Sequence, residues 1–367
     1  MKITRISVYQ VDLPLDKPYW LSGGRLKFEK LDSTIVSIET DEGITGWGEA
    51  CPWGVTYLPA FAGGIRAGIA ELAPAIIGQE PRHLDYINKI MDIALPGHWY
   101  IKSALDMACW DILGKSANLP LYALLGGRFS SHVTLHNMVS TGTPEEMLAI
   151  VRAGRAKGYT IYSAKIGADV SLDIERIQAL LADLPPGESV TFDVNRAWLP
   201  DQAIIVMNTI NDARPYFEQP CETLEECSTV RRLTRQPIIL DECIQSFEDL
   251  LLAQRDQIAQ AIGLKVGRVG GLTKAKRMRD FCVATGIRMN IEDTGGSVIS
   301  DTAVIHLAMA TPETHRRATW ECSPLHSVVT ADGGYIRENG KATLPDSPGL
   351  GIEPRLAILG DPVAVYS

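Results

Sequence analysis

No stretch of this chain approaches the roughly 18 consecutive apolar residues that a membrane-crossing helix needs, so no span is expected. Positive charge is also scarce: 35 Lys and Arg stand against 44 Asp and Glu, a net charge of −9. That balance argues against nucleic acid as the main partner, because phosphate binding needs a basic surface. The seven cysteines (Cys51, Cys109, Cys221, Cys227, Cys243, Cys282, Cys322) form no Cys-x-x-Cys pair, and their number is odd. A disulfide framework is therefore not expected, and they read as small buried hydrophobes in a reducing compartment. Residues 1–15, MKITRISVYQVDLPL, lack the apolar centre of a secretion signal and alternate like a strand, so a cytoplasmic protein is expected. Low-complexity segments and long linkers are missing as well. What is there is a chain of 367 residues, 46% hydrophobic and 22% charged, with room for a large core.

Two rhythms divide the sequence. Residues 1–127 mix strand-like alternation (MKITRISVYQVDLPL, DSTIVSIETDEGITGWGEA) with a largely buried helix, YIKSALDMACWDILGKSA. Asp41-Glu42-Gly43 reads as a hairpin turn, and YWLSGGRLKF (19–28) and ACPWGVTYLPAFAGG (50–64) read as loops. From about residue 130, eight short apolar runs alternate with helical stretches, as in HVTLHNMV, TIYSAKIG, SVTFDVN, YFEQP, PIILDE, AIGLKVG, RMNIED and RATWEC. Alternation of that kind predicts a closed parallel barrel with helices outside. The eighth run lacks a full helix after it, which makes the fold class α/β, a (β/α)7β-type TIM barrel over 128–324. Residues 325–367 are expected to return to the first region and complete an α+β capping domain with 1–127.

Five consecutive runs end in Lys165, Asp193, Glu218, Asp241 and Lys265, separated by 28, 25, 23 and 24 residues. Each interval is one strand-plus-helix unit, so the charge recurs at the same structural place, the C-terminal face where barrel enzymes hold their sites. Three neighbouring carboxylates repel one another unless a cation joins them, and an all-oxygen donor set favours Mg2+. Asp193, Glu218 and Asp241 are therefore the candidate metal ligands, with Asn195 supporting them from behind, two residues along the same face as Asp193. Runs 2 and 6 lie four apart in a ring of eight, so Lys165 and Lys265 are expected to face each other across the mouth. A carboxylate substrate held by the metal then presents its α-carbon to two amines, one for each face. Proton removal by one lysine, followed by protonation from the other side, is racemisation or elimination. A lysine base at neutral pH needs its pKa brought from about 10.4 down to roughly 7–8.

The segment SALDMACWDILGKSANLPLYALLGG (103–127) and the ordered motifs FDVN, FEQP, LDE and GLKVGRVGGLTKA resemble the enolase superfamily, in its mandelate racemase/muconate lactonizing enzyme branch. The resemblance covers nearly the whole chain. It implies that Asp193, Glu218 and Asp241 hold Mg2+, that Lys165 and Lys265 are the acid/base pair, and that the chain forms a homo-oligomer. Many relatives carry Lys-x-Lys on the second strand; here Ser163 stands in the first position, leaving Lys165 to the influence of the metal, Lys265 and burial. The capping loops would close over the substrate, with Trp20, Ser22, Gly23 and Tyr57 as candidate contacts.

The substrate signal is thinner. Trp320, at the end of run 8, offers an aromatic face to a cation, and Asp293 with Thr294, at the end of run 7, could meet an ammonium. A proline-type amino acid or a betaine satisfies all of these together. KPYWLSGGRLKFEKLDST and GWGEACPWGVTYLPA resemble the cis-3-hydroxy-L-proline dehydratases more than the hydroxyproline betaine 2-epimerases. The resemblance implies dehydration to Δ1-pyrroline-2-carboxylate, with 2-epimerisation of related prolines as a side activity. Betaine epimerase, or another amino-acid or acid-sugar enzyme of the branch, is the alternative; a barrel that only binds its ligand is the remote one. No histidine ends run 6 or 7, which speaks against an acid-sugar dehydratase.

Overall fold

Each short apolar run that ends in a charge becomes one stave of a barrel, because the apolar part is buried on both sides and the charge is left at the rim. In the computed structural model, which describes residues 1–367, the staves are His136–Val139, Ile161–Lys165, Ser189–Asp193, Tyr216–Glu218, Ile238–Leu240, Ala261–Lys265, Arg288–Glu292 and Arg316–Thr319. They pair side by side in sequence order, all parallel. A single bridge between Leu135 and Thr319 joins the first strand to the eighth and closes the ring. Seven helices follow the first seven strands, and only the short turn Ser323–Leu325 follows the last. The (β/α)7β expectation is borne out. Thr143, Thr223 and Ser246 start three of the helices with reciprocal capping boxes, so each helix begins at a fixed point after its strand end.

Strands Ile3–Leu21, Leu26–Thr40 and Thr45–Ala50 form an antiparallel sheet with Ala364–Tyr366 at its edge. The helices Ala62–Ile76, Leu84–Ala94 and Trp99–Ala117 pack with it; the last is buried along nearly all its length, which explains its lack of a polar face. The expected hairpin turn at Asp41-Glu42-Gly43 is present, with Thr40 and Ile44 bonded across it. Residues 19–28 are not a loop. The first two strands stay paired out to Tyr19–Phe28, Trp20–Lys27 and Leu21–Leu26, and the turn is confined to Ser22–Gly24. The C-terminal residues divide their contacts: Ala364–Tyr366 join the capping sheet, while the hairpin Ile336–Glu338/Lys341–Thr343 pairs with Val133–Thr134 beside the first barrel strand. Six of the seven cysteines are buried and all are free. No helix is long and apolar enough to cross a membrane.

Polar ties hold the cap on the barrel. Glu49, fully buried, accepts from Ser33 Oγ (2.6 Å), Ser297 N (2.9 Å), Ser297 Oγ (2.8 Å) and Ser300 N (2.9 Å). Three of these donors open the barrel helix Val298–Met309, whose N-terminus favours a carboxylate. His306, on the same helix, accepts from Tyr122 N at Nδ1 (3.1 Å) and contacts Leu350 O through Nε2 (3.2 Å). Burial pushes its pKa down to about 4 from the ordinary 6.5. The unfolded chain therefore takes up a proton before the native one does, and stability is lost as pH falls from about 6.5 through about 4. His306→Gln is expected to shallow the stability slope over that window by up to about 1.4 kcal/mol per pH unit, read from denaturant unfolding at a series of pH values.

Candidate active site

Strand register, rather than sequence spacing alone, brings the charges together. Lys165, Asp193 and Glu218 are direct partners across strands two, three and four, and Lys265 is paired with Glu292 across strands six and seven. Asp241 follows the fifth strand by one residue, and its turn is held by Gln219 of the FEQP motif. The Gln219 side-chain oxygen accepts from Asp241 N (2.8 Å) and Cys243 N (3.3 Å). All six charged side chains are buried and line one small cavity of about 40 Å³ at the mouth of the barrel. Tyr19, Leu21, Trp53 and Tyr57 of the cap roof it, and His136, Met138, Ser163, Thr294 and Trp320 complete the wall.

Among the acids, Glu218, Asp241 and Glu292 can bring one oxygen each within 4.8 Å of the others. Asp193 pairs instead with the Lys165 ammonium, and its other oxygen accepts from Asn195 N (3.0 Å). Lys265 lies 3.4 Å from Asp241 and 3.5 Å from Glu292. Arg268 stands 2.8 Å from Asp241 Oδ1 and is itself fixed by Ile244 O and Gly263 O. Space is reserved for this cluster. A Cβ on Gly263 would sit 2.6 Å from Asp241 Oδ1 and 3.1 Å from Glu292 Oε1.

The electrostatics show how burial and mutual repulsion act on the cluster. Burial raises the Glu218 carboxyl well above its ordinary range, and Asp193, Glu292 and Asp241 add to the rise. Glu292 is raised by burial too, with Lys265 opposing. Burial also works against the Asp241 carboxylate, but Arg268 and Lys265 outweigh it and hold its pKa below the usual value. Burial disfavours the Lys165 ammonium, yet Asp193, Tyr19 and Glu218 more than compensate and hold its pKa above the ordinary range. Lys265 is likewise raised against its own burial by Asp241 and Glu292. Glu292 Oε1 is buried with no partner, and Asp241 Oδ1 has the ionic contact with Arg268 but no hydrogen bond. An all-oxygen set with unpartnered oxygens and surplus negative charge fits a hard divalent cation.

The other expected contacts distribute unevenly. Asn195 lines the cavity beside the acids, its Nδ2 donating to Glu242 Oε1 (3.1 Å), which also accepts from Tyr57 OH (2.8 Å). Ser163, two residues before Lys165, lines the cavity, as do Tyr57, Thr294 and Trp320. Trp20, Ser22 and Gly23 do not. Residues 19–21 are strand, so Tyr19 and Leu21 turn inward and Trp20, 45% exposed, turns out beneath Lys27. Ser22 donates to Asn195 O (2.8 Å), and Gly23, at φ +64°, packs so tightly that a Cβ would lie 2.1 Å from Gly167 O. These two dock the cap hairpin onto the barrel rim. Asp293 is engaged by the scaffold: its carboxylate accepts from Gly267 N (3.0 Å), Thr294 N (2.7 Å) and Ser300 Oγ (3.2 Å), leaving it off the cavity wall. Its neighbour Glu292 faces inward instead, and sequence reasoning passed over it. The signal was available in the pairing of an inward Lys265 with the residue opposite it.

Residues 4–126 match the family described as mandelate racemase/muconate lactonizing enzyme, N-terminal domain, and residues 146–358 match the enolase C-terminal domain-like family. A crystal structure of an enolase superfamily member from Roseovarius nubinhibens ISM, complexed with magnesium, superposes with a TM-score of 0.96 at 50% identity, covering 100% of this chain and 99% of that one. A cis-3-hydroxy-L-proline dehydratase from Roseibium aggregatum is 44% identical over 368 residues, all of both chains. An N-succinyl-L-Arg/Lys racemase from Bacillus cereus is 29% identical over 96% of this chain and 95% of its own.

Proposed function

Because the chain belongs to the enolase superfamily, in its mandelate racemase/muconate lactonizing enzyme branch, we propose that it is a Mg2+-dependent dehydratase of cis-3-hydroxy-L-proline, with 2-epimerase side activity on related prolines. The observation that carries this reading is that Lys165 and Lys265 end strands two and six, four apart in an eight-strand ring, and line one acidic cavity. Glu218, Asp241 and Asp193 are the ligands we assign to the metal, with Glu292 against them. Mg2+ bound there would supply positive charge for the substrate carboxylate as its α-proton leaves, and would take over from the ammonium groups in neutralising the acids.

The stereochemistry of the substrate suits the two amines. In cis-3-hydroxy-L-proline the hydroxyl shares a ring face with the carboxylate, and the α-hydrogen is on the other face. One lysine, as the free amine, takes the C2 proton. The C3–O bond breaks on the opposite face, and the departing hydroxide takes a proton from the other lysine's ammonium to leave as water. The enamine left behind tautomerises to Δ1-pyrroline-2-carboxylate. A proline without the 3-hydroxyl has no leaving group, so the second lysine returns a proton to C2 and inverts it. A cavity this small, roofed by Tyr19 and Trp53, also favours a compact cyclic substrate and keeps water off the carbanion.

Incubation with Mg2+ and cis-3-hydroxy-L-proline is expected to yield Δ1-pyrroline-2-carboxylate, detected by mass spectrometry as loss of one water. No such product under conditions where the protein binds Mg2+ would overturn the reading. A second reading is betaine 2-epimerisation. It draws on the aromatic wall, where Trp53 and Trp320, their ring centres 6.0 Å apart, both line the cavity and aromatic rings attract a quaternary ammonium. α-Deuterium exchange into hydroxyproline betaine without dehydration of the free amino acid would favour it.

A further inference from the structure

Among the polar side chains of the cavity that stand outside the acid cluster and the lysine pair is His136. His136 begins the first barrel strand, is 7% exposed, and lines the site. Its Nε2 is buried without a hydrogen-bond partner. Leaving such a group unpaired in a folded protein costs about 1–3 kcal/mol, so its persistence calls for a ligand or a water there.

Register fixes its height. Lys265 pairs with Glu292, Ile291 with Thr319, and Thr319 bridges Leu135. Trp320 and His136 follow those partners, and on its other side His136 pairs with Ile161, four residues before Lys165, so the imidazole lies on the wall below that lysine. Strand one is also opposite strand five, which leads into Asp241. A small cyclic acid whose carboxylate rests on the acidic side turns the body of its ring toward strand one. There it meets Met138, which is apolar, Ser163 on the neighbouring strand, and the imidazole of His136. Burial, reinforced by the two lysines and Arg317, pushes the His136 pKa down to about 3, so the ring is neutral. A neutral imidazole carries one donor and one acceptor, as a hydroxyl does, and repels neither.

We propose that His136 reads the ring hydroxyl of the substrate, its Nε2 hydrogen-bonding that oxygen, and so sets the preference for hydroxylated over plain prolines. This assignment rests on the dehydratase reading above and adds a specificity determinant to it. A site built to bond a hydroxyl discriminates strongly against the analogue that lacks it, because the buried partner is then left unpaired. His136 also borders a cleft of about 360 Å³ on the outer side of the barrel, shared with Lys157, Glu321 and Arg337. Water held from that cleft is the competing occupant of Nε2, and it would be indifferent to the substrate.

The test compares two rates in wild type, His136→Phe, His136→Leu and His136→Gln, all with Mg2+. One is kcat/KM for dehydration of cis-3-hydroxy-L-proline; the other is α-deuterium exchange into L-proline in D2O. The ratio of the first to the second is expected to fall about tenfold or more in the Phe and Leu variants. It should recover in part in the Gln variant, whose amide restores a donor and an acceptor. Thermal unfolding identifies any variant that does not fold, and the ratio is then read from the others. Equal losses on both substrates, or no loss, would overturn the assignment and leave the dehydratase reading standing. Wild type that acts on neither proline would overturn both.

Discussion

Lys165→Met and Lys265→Met are each expected to reduce dehydration turnover by about 10²–10⁴-fold, the range for loss of a positioned acid or base. A merely structural pair would lose activity on both faces alike. An opposed pair should leave opposite signatures. With one amine gone, the other still reaches the α-proton of one enantiomer of proline and can return a deuteron to the same face. One variant should therefore retain α-deuterium exchange with L-proline, and the other with D-proline, as followed by NMR in D2O. Retention of the same enantiomer by both variants would place the amines on one side, and retention of neither would make the pair structural; either result removes the basis of the mechanism. The ion pairs add a condition. Asp193 holds the Lys165 pKa up, and Asp241 with Glu292 does the same for Lys265, so neither amine is a base until those acids are otherwise neutralised.

Glu218→Gln is expected to have opposite effects on the metal-free and the metal-loaded protein. Glu218 carries the strongest upward push in the cluster, from burial and from three neighbouring acids. Replacing it with a neutral isostere relieves that repulsion, so the metal-free variant should be more stable than wild type by about 1–2 kcal/mol. Mg2+ should then do little for it. In wild type, saturation at 100 times Kd adds about 2.7 kcal/mol, and chelation removes it. In the variant, calorimetry should register at least about a 10²-fold weaker association, and turnover should fall with it. A variant that binds Mg2+ as tightly as wild type would exclude Glu218 from the ligand set. Parallel measurements on Asp193→Asn and Glu292→Gln would then separate the acid that meets the metal from the one that only borders it.

The barrel and its charged rim were legible because both are written in short-range patterns. A buried strand needs five or so apolar residues, a crossover helix needs ten to fifteen, and the repeat of that unit put Lys165, Asp193, Glu218, Asp241 and Lys265 at equivalent places. The buried helix at 99–117 was legible for the same reason. The details that failed depend on parity. Residues 19–28 contain a glycine pair and read as a loop, yet cross-strand pairing carries the hairpin through, and the pleat turns Tyr19 and Leu21 inward rather than Trp20. At the seventh run, two adjacent acids compete for one inward position. The pairing of Arg288–Glu292 with Ala261–Lys265 gives it to Glu292 and leaves Asp293 to accept from Gly267 N.

The sequence by itself determined the kind of fold, the face of the barrel that carries chemistry, and the acid and amine types gathered there. These follow from local periodicity and from the length of one strand-plus-helix unit. Only the tertiary structure decided which oxygens share a centre, which acid each lysine pairs with, and which cap residues roof the cavity. Those choices turn on register between strands far apart in the chain, where a shift of one residue turns a side chain from the cavity to the scaffold.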